Sequence, residues 1–278
     1  MTEGNSPTST TDATPTDSPA IGDDSDPILR VEGRTKRFGG ITALDGVDLA
    51  VDPGLTGLIG PNGAGKTTLF NCLTGFHEPD AGRVRLYDAD VTGDEPPAVA
   101  QQGMVRTFQI PRELAEMTVF ENLLLAPMHQ HGERLRGAWT RGDRFVESEL
   151  AIRDRAREIA AFFEIDHLLD EPAGSLSGGQ RKLLEIARVL LTDPDIVLLD
   201  EPLAGVNPTL ERKILGRIEE LVADGYSFLL IEHDIDLIMD NCERVIVMHR
   251  GEVLTTGSPA DVQSDERVIE AYLGGDDV

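Results

Sequence analysis

The sequence predicts an α/β fold: a mixed, largely parallel sheet covered by helices, fronted by a β-rich section and interrupted by a helical insert. Three observations predict it. Short apolar runs alternate with amphipathic helical runs over the second half of the chain. A glycine-rich loop at residues 60–68 lies between an apolar run and a helical one. Between about residues 110 and 172 the texture is helical alone.

The elements follow in order. Residues 1–26 are rich in Ser, Thr, Pro and Asp and nearly empty of apolar side chains, so they cannot offset the entropy of ordering and are expected to form a disordered acidic tail. Ile28, Leu29 and Val31 begin a strand, Val47, Leu49 and Val51 alternate as a second, residues 55–59 form a third, and 84–86 complete the front section. The run 147–163 reads as a charged helix carrying Leu150, Ile152, Ile159 and Phe162, within an insert of about 110–180. Strands at 196–199, 228–231 and 245–248 then alternate with helices at 210–222 and near Leu237.

Composition narrows the partners. The chain has 278 residues, enough for one large domain or two closely joined lobes. Its 50 acidic against 25 basic residues give a formal net charge of −25, which repels nucleic acid and anionic lipid surfaces. The tail contributes Glu3, Asp12, Asp17, Asp23, Asp24 and Asp26, so most of the excess belongs to the remainder. Lysine is confined to Lys36, Lys66, Lys182 and Lys213, and the acidity suggests a salt-loving source, because salt screens such self-repulsion. No apolar run approaches the roughly 20 residues that cross a bilayer, and no secretory signal is seen, so the expectation is a soluble intracellular protein. Cys72 and Cys242 are too few and too far apart for a disulfide framework or a metal site and read as packed, reduced thiols.

Two motifs carry chemistry on their own. In Gly60-Pro61-Asn62-Gly63-Ala64-Gly65-Lys66-Thr67-Thr68 the glycines let backbone N–H groups face phosphate oxygens, the following helix offers its positive end, Lys66 reaches the β- and γ-phosphates, and the Thr67 hydroxyl ligates magnesium. The competing reading is a plain glycine-rich turn, which the strand before and the helix after disfavour. Residues 196–201 read Ile-Val-Leu-Leu-Asp-Glu, a buried strand ending in two carboxylates. Asp200 can hold magnesium through its water shell and Glu201 can polarise an attacking water; the alternative is a strand ending in a solvated acidic turn.

Leu176-Ser177-Gly178-Gly179-Gln180, opening an amphipathic helix with Leu183, Leu184, Ile186, Ala187 and Leu190, resembles the signature of the ATP-binding cassette (ABC) family. The resemblance spans about residues 27–278. It implies a phosphate-loop NTPase core of the RecA-like kind with an N-terminal β-subdomain and an α-helical signature subdomain. It also implies that two cassettes pack head to tail, each ATP lying between one phosphate loop and the other subunit's signature. Ser177 and Gly179 would then meet the partner's γ-phosphate, with Gly178 and Gln180 in the same binding turn and the helix N-terminus adding its dipole.

The same resemblance gives other residues roles. A lone histidine such as His233 ordinarily sits on the surface or in packing; within Glu232-His233-Asp234 it would hold γ-phosphate and water in line with Glu201. Gln109, after Val105-Arg106-Thr107-Phe108, resembles the glutamine that touches magnesium and water and joins the helical insert. Phe38 matches the aromatic on which adenine stacks, against the alternative of a core phenylalanine. Asn207 stands where many members have aspartate, which puts its part in communication between sites in doubt.

Arg37-Phe38-Gly39-Gly40, Arg106-Thr107-Phe108-Gln109, the segment 117–122, the long insert near 128–144 and the ending Ala271-Tyr272-Leu273-Gly274 together look like the branched-chain amino acid importer ATPases. Members of that group handling urea and short amides are close relatives. The implied partners are a second ABC ATPase, two membrane permeases and, indirectly, an extracytoplasmic solute-binding protein, which would place the chain on the inner face of the membrane. ATP and Mg2+ are the implied cofactors, and the implied activity is ATP hydrolysis coupled to transport. Rival readings are an exporter or lipid-extraction ATPase, which the core motifs fit equally, and a soluble non-transport switch, which usually has two cassettes or a coiled-coil insertion.

Overall fold

The computed structural model describes residues 26–107, 113–127 and 143–273. Nearly all of the acidic tail, Gln109, and residues 128–142 of the insert lie outside them.

The antiparallel sheet is built from two hairpins with short turns, separated in the chain by residues 52–80. β1 (Leu29–Phe38) pairs with β2 (Ile41–Val51) and with β4 (Ala81–Leu86), which also pairs with β5 (Ala89–Asp90), giving the order β2-β1-β4-β5. The second sheet has six strands in the order β10-β9-β3-β8-β7-β6. They are β3 (Leu55–Ile59), β6 (Met104–Arg106), β7 (Ile196–Asp200), β8 (Ser227–Ile231), β9 (Arg244–His249) and β10 (Glu252–Gly257). All neighbours run parallel except β10, which turns back along β9.

The apolar runs of β3, β7 and β8 are buried at every residue, as strands covered on both faces must be. Their two-residue period divides the core. Ile196, Leu198, Leu229, Ile231, Ile246 and Met248 face the antiparallel sheet and helix α1 (Lys66–Leu73). Val197, Leu199, Phe228, Leu230, Val245 and Val247 face the other helices. Those include α3 (Val119–Leu124), α4 (Asp143–Phe162), α5 (Gly178–Leu190), α6 (Pro208–Ala223) and α7 (Ile235–Asn241); α2 (Pro96–Gln101) precedes β6, and α8 (Pro259–Ser264) and α9 (Glu266–Leu273) close the chain.

Each strand and helix expected between Ile28 and Met248 is present. The buried stripe of α4 differs from the expected one: Ala156, Ile159 and Ala160 are buried and continue into Phe163, whereas Leu150 is exposed and Phe162 lies half-buried with the Arg217 guanidinium 4.7 Å above its ring. Small alanines on that stripe let the helix approach its neighbours closely, which an apolar count alone does not reveal. Cys72 and Cys242 are free and buried, and burial pushes the Cys242 thiol up to about 12. No helix among the described residues is long and apolar enough to cross a membrane.

Candidate functional site

The ends of β3, β7 and β8 lie side by side, so the loops that follow them meet at one edge of the sheet. After β3 the chain turns through Gly60, with φ +152°, where a Cβ would run into the Met248 carbonyl of β9. Gly65, with φ +103°, would bring a Cβ 2.6 Å from the Ala43 carbonyl, and Gly63 needs φ +79° in open space. Glycine is therefore required twice by close approach and three times by conformation. The Lys66 ammonium folds back into the loop, donating to the carbonyls of Gly60 at 2.5 Å and Pro61 at 3.2 Å. Burial lowers its pKa, and the Glu201 and Asp200 carboxylates pull it partly back. Thr67, exposed, and Thr68, half-buried, stand in the first turn of α1.

Asp200 ends β7 with its carboxylate almost wholly buried. Its oxygen lies 3.0 Å from Arg106 Nη2, and this guanidinium also donates to Asn71 Oδ1 of α1 at 2.6 Å and to the Thr107 carbonyl at 3.2 Å. Burial raises the Asp200 pKa and Arg106 opposes the rise. Glu201 follows with φ +51°, unusual for a residue with a side chain. Its N–H donates to the Ile231 carbonyl at 3.0 Å, locking the turn to β8, and Oε1 lies 2.6 Å from His233 Nε2. His233 is fixed between β8 and α7, whose first residues are capped by Asp234 Oδ1 accepting from the Leu237 N–H at 3.2 Å. Glu201, His233, Asp200 and the phosphate loop are thus brought together from three strand ends.

The segment Ser177–Gln180 opens α5, and the side-chain hydrogen bonds of Ser177 and Gln180 are local. Ser177 caps α5: its hydroxyl accepts the Gln180 N–H at 3.3 Å while Gln180 Oε1 accepts the Ser177 N–H at 2.9 Å. Ser177 and Gly178 are exposed. A Cβ at Gly179 would meet only the side-chain tip of Leu210 on α6, and Gly178 has open space around it and no left-handed φ.

Phe38 is 44% exposed at the end of β1, edge-on to His77 at 5.2 Å with Lys36 Nζ 5.3 Å from its ring centre, so it is not a core phenylalanine. Asn207 caps α6, its Oδ1 accepting from the N–H groups of Thr209 and Leu210 at 3.0 Å each, a duty visible in Asn-Pro before a helical run. Burial pushes the phenol of Tyr272 on α9 up to about 12, with the nearby Gly60 backbone opposing the rise. The Arg106–Asp200 pair has no local signal, because it joins residues far apart in the chain.

A triphosphate fits this cradle of side-chain-free turns, buried ammonium and helix N-terminus. Magnesium fits as well. Among the described residues no group of three or more His, Cys, Asp or Glu could hold a metal by itself, but Mg2+ beside phosphates needs one or two protein oxygens, which Thr67 and Asp200 can offer.

Comparison with known proteins shows the family. The family profile described as ABC transporter matches residues 44–204, and that of the branched-chain amino acid ATP-binding cassette transporter matches residues 252–278. The probable branched-chain amino acid transport ATP-binding protein LivG of Archaeoglobus fulgidus is 42% identical over 251 residues, covering 90% of this chain and 96% of its own. The high-affinity branched-chain amino acid transport ATP-binding protein LivG of Escherichia coli K12 is 41% identical over 259 residues, covering 90% and 99%. The crystal structure of a nucleotide-free ATP-binding cassette from an ABC transporter superposes with a TM-score of 0.77 at 40% identity, over 89% of this chain and 99% of that one. The chain belongs to the ABC transporter family, as one of its ATP-hydrolysing cassettes.

Proposed function

We propose that this cassette drives an importer of branched-chain amino acids, working head to tail with a second ABC ATPase on the inner face of the membrane beside two permeases served by an external binding protein. One observation carries the reading: Glu201 and His233 are hydrogen-bonded beside the buried Lys66, while Ser177 and Gly178 of the signature turn lie exposed. Gly178 supports it further, since neither packing nor backbone conformation within the chain demands a glycine there, whereas close approach by a neighbour's triphosphate would.

In this reading Lys66 binds the β- and γ-phosphates, with Gly60, Pro61, Asn62, Gly63, Ala64, Gly65 and Thr68 shaping the cradle, and Phe38 stacks on the adenine. Thr67, Asp200 and Gln109 would hold magnesium, which when bound neutralises charge on the phosphate oxygens. Glu201 takes the proton of the attacking water, and His233 orients that water and the γ-phosphate. Ser177, Gly178, Gly179 and Gln180 close over the partner's nucleotide, and the helical segment hands closure to a permease. The exposed Leu114 and Leu125 on that segment suit an apolar contact.

Purification of the tagged chain from its native membranes tests the assembly. Two permeases should accompany it, and leucine with the binding protein should stimulate ATP hydrolysis. Stimulation by urea or acetamide instead would reassign the solute, and a complex active without any binding protein would exclude import.

The acidity we assign to life in high salt. With 50 acidic residues against 25 basic, screening should stabilise the folded chain, so its melting temperature should climb steeply between dilute buffer and molar KCl. Full stability in dilute buffer would remove that assignment.

A further inference from the structure

We propose that Lys182 is a positioning residue that ties the signature helix to the Glu201 turn of the same subunit, so that engagement of the signature by one nucleotide adjusts the base acting on the other. The proposal rests on the role given above to Glu201.

Lys182 lies on α5, the helix whose first residues form the signature turn, and its Nζ donates to the Glu201 carbonyl at 2.9 Å. That carbonyl also accepts the Ala204 N–H at 3.2 Å. A left-handed conformation at a residue bearing a side chain, such as Glu201 with φ +51°, persists only where its surroundings hold it. Bonds that hold it include Glu201 N–H to Ile231, Ala204 N–H to Glu201, Leu203 N–H to Glu232 Oε1 at 2.9 Å, and Lys182. The first three belong to the turn and to the end of β8. Lys182 alone among them comes from the helix that would face the partner's nucleotide.

The electrostatics favour the same arrangement. Glu232 is buried, and burial raises its pKa while Lys182 opposes that rise. Glu232, Glu185 and Glu201 in turn draw the Lys182 charge into place against the cost of burying it. A compact ammonium on a flexible stem can reach a carbonyl that lies between these acids. A shift of α5 therefore pulls on the peptide of Glu201, whose carboxylate sits 2.6 Å from His233, and small misplacements of a base are costly in rate.

The test uses the full chain in its assembled transporter. Lys182→Met keeps the aliphatic stem and removes the donor; kcat should fall roughly tenfold to a hundredfold. KM for ATP, nucleotide affinity and melting temperature should stay near those of the parent. Lys182→Arg should recover most of the rate, and Lys182→Gln, with a shorter donor, should fall between and serves if the Met variant does not fold. Placed on Glu201→Gln, Lys182→Met should add no further loss to the residual turnover. Unchanged kcat in Lys182→Met, a loss confined to KM, or an additive loss on Glu201→Gln would each overturn the proposal. Normal turnover by Glu201→Gln alone would instead remove the assignment of Glu201, whereas a dead Glu201→Gln beside a fully active Lys182→Met removes only the coupling.

Discussion

Glu201→Gln is expected to bind ATP and to associate on it while hydrolysing it about 10²–10⁴-fold more slowly, the usual worth of a positioned general base. The substitution is nearly isosteric. An amide oxygen can still accept from His233 Nε2, so the 2.6 Å contact and the turn that makes it should survive. What disappears is the charge that draws a proton from water. The same charge lies close enough to Lys66 to affect its protonation, so its removal also takes a negative neighbour away from the triphosphate. Affinity should therefore hold or rise. With the γ-phosphate intact, the bridge between one loop and the other signature persists and the pair stays closed. Phosphate release, fluorescent-nucleotide titration and size-exclusion chromatography in ATP measure the three consequences separately. Turnover within threefold of the parent would show that some other group takes the proton.

Gly60→Ala should cost both stability and nucleotide. The residue leaves β3 with φ +152°, and an added methyl meets the Met248 carbonyl, a backbone atom of the neighbouring strand that cannot swing aside. The backbone conformation alone costs about 1–3 kcal/mol for a residue with a Cβ. Displacing a packed strand adds a comparable amount. For a chain of this size the melting temperature should drop by on the order of 10 °C. The effect on binding should be larger still, because the Gly60 carbonyl holds Lys66 Nζ at 2.5 Å. Gly63→Ala is the matched control: it also has positive φ but open space around it, so it should lose the conformational part only. Equal melting of Gly60→Ala and Gly63→Ala would contradict the steric argument; a nucleotide affinity equal to the parent's would contradict the role of the loop.

The central sheet was legible because strands covered on both faces must be apolar throughout, and runs such as 196–199 and 228–231 admit few other readings. The edges were not. β6 is three residues long, and β10 carries two threonines and ends in glycine, so neither makes a run that stands out, and each is a strand because a neighbour is already in place. The phosphate loop and the Asp200-Glu201 pair could be read from local spacing, since their chemistry needs adjacent residues. Arg106 could not, as its partner is 94 positions away, and Lys182 could not, as its acceptor is a backbone carbonyl that any residue would offer. Gln180 shows a third case: the structure uses its side chain first to close a capping box with Ser177, a local Ser-x-x-Gln pattern that the signature itself conceals.

Arg106 leaves Asp200 with a countercharge of its own, at 3.0 Å and with both side chains nearly sealed from water. An isolated carboxylate at such depth would be costly to keep ionised. Resting against a guanidinium, this carboxylate is compensated from within the chain, so its burial does not depend on any ligand being bound.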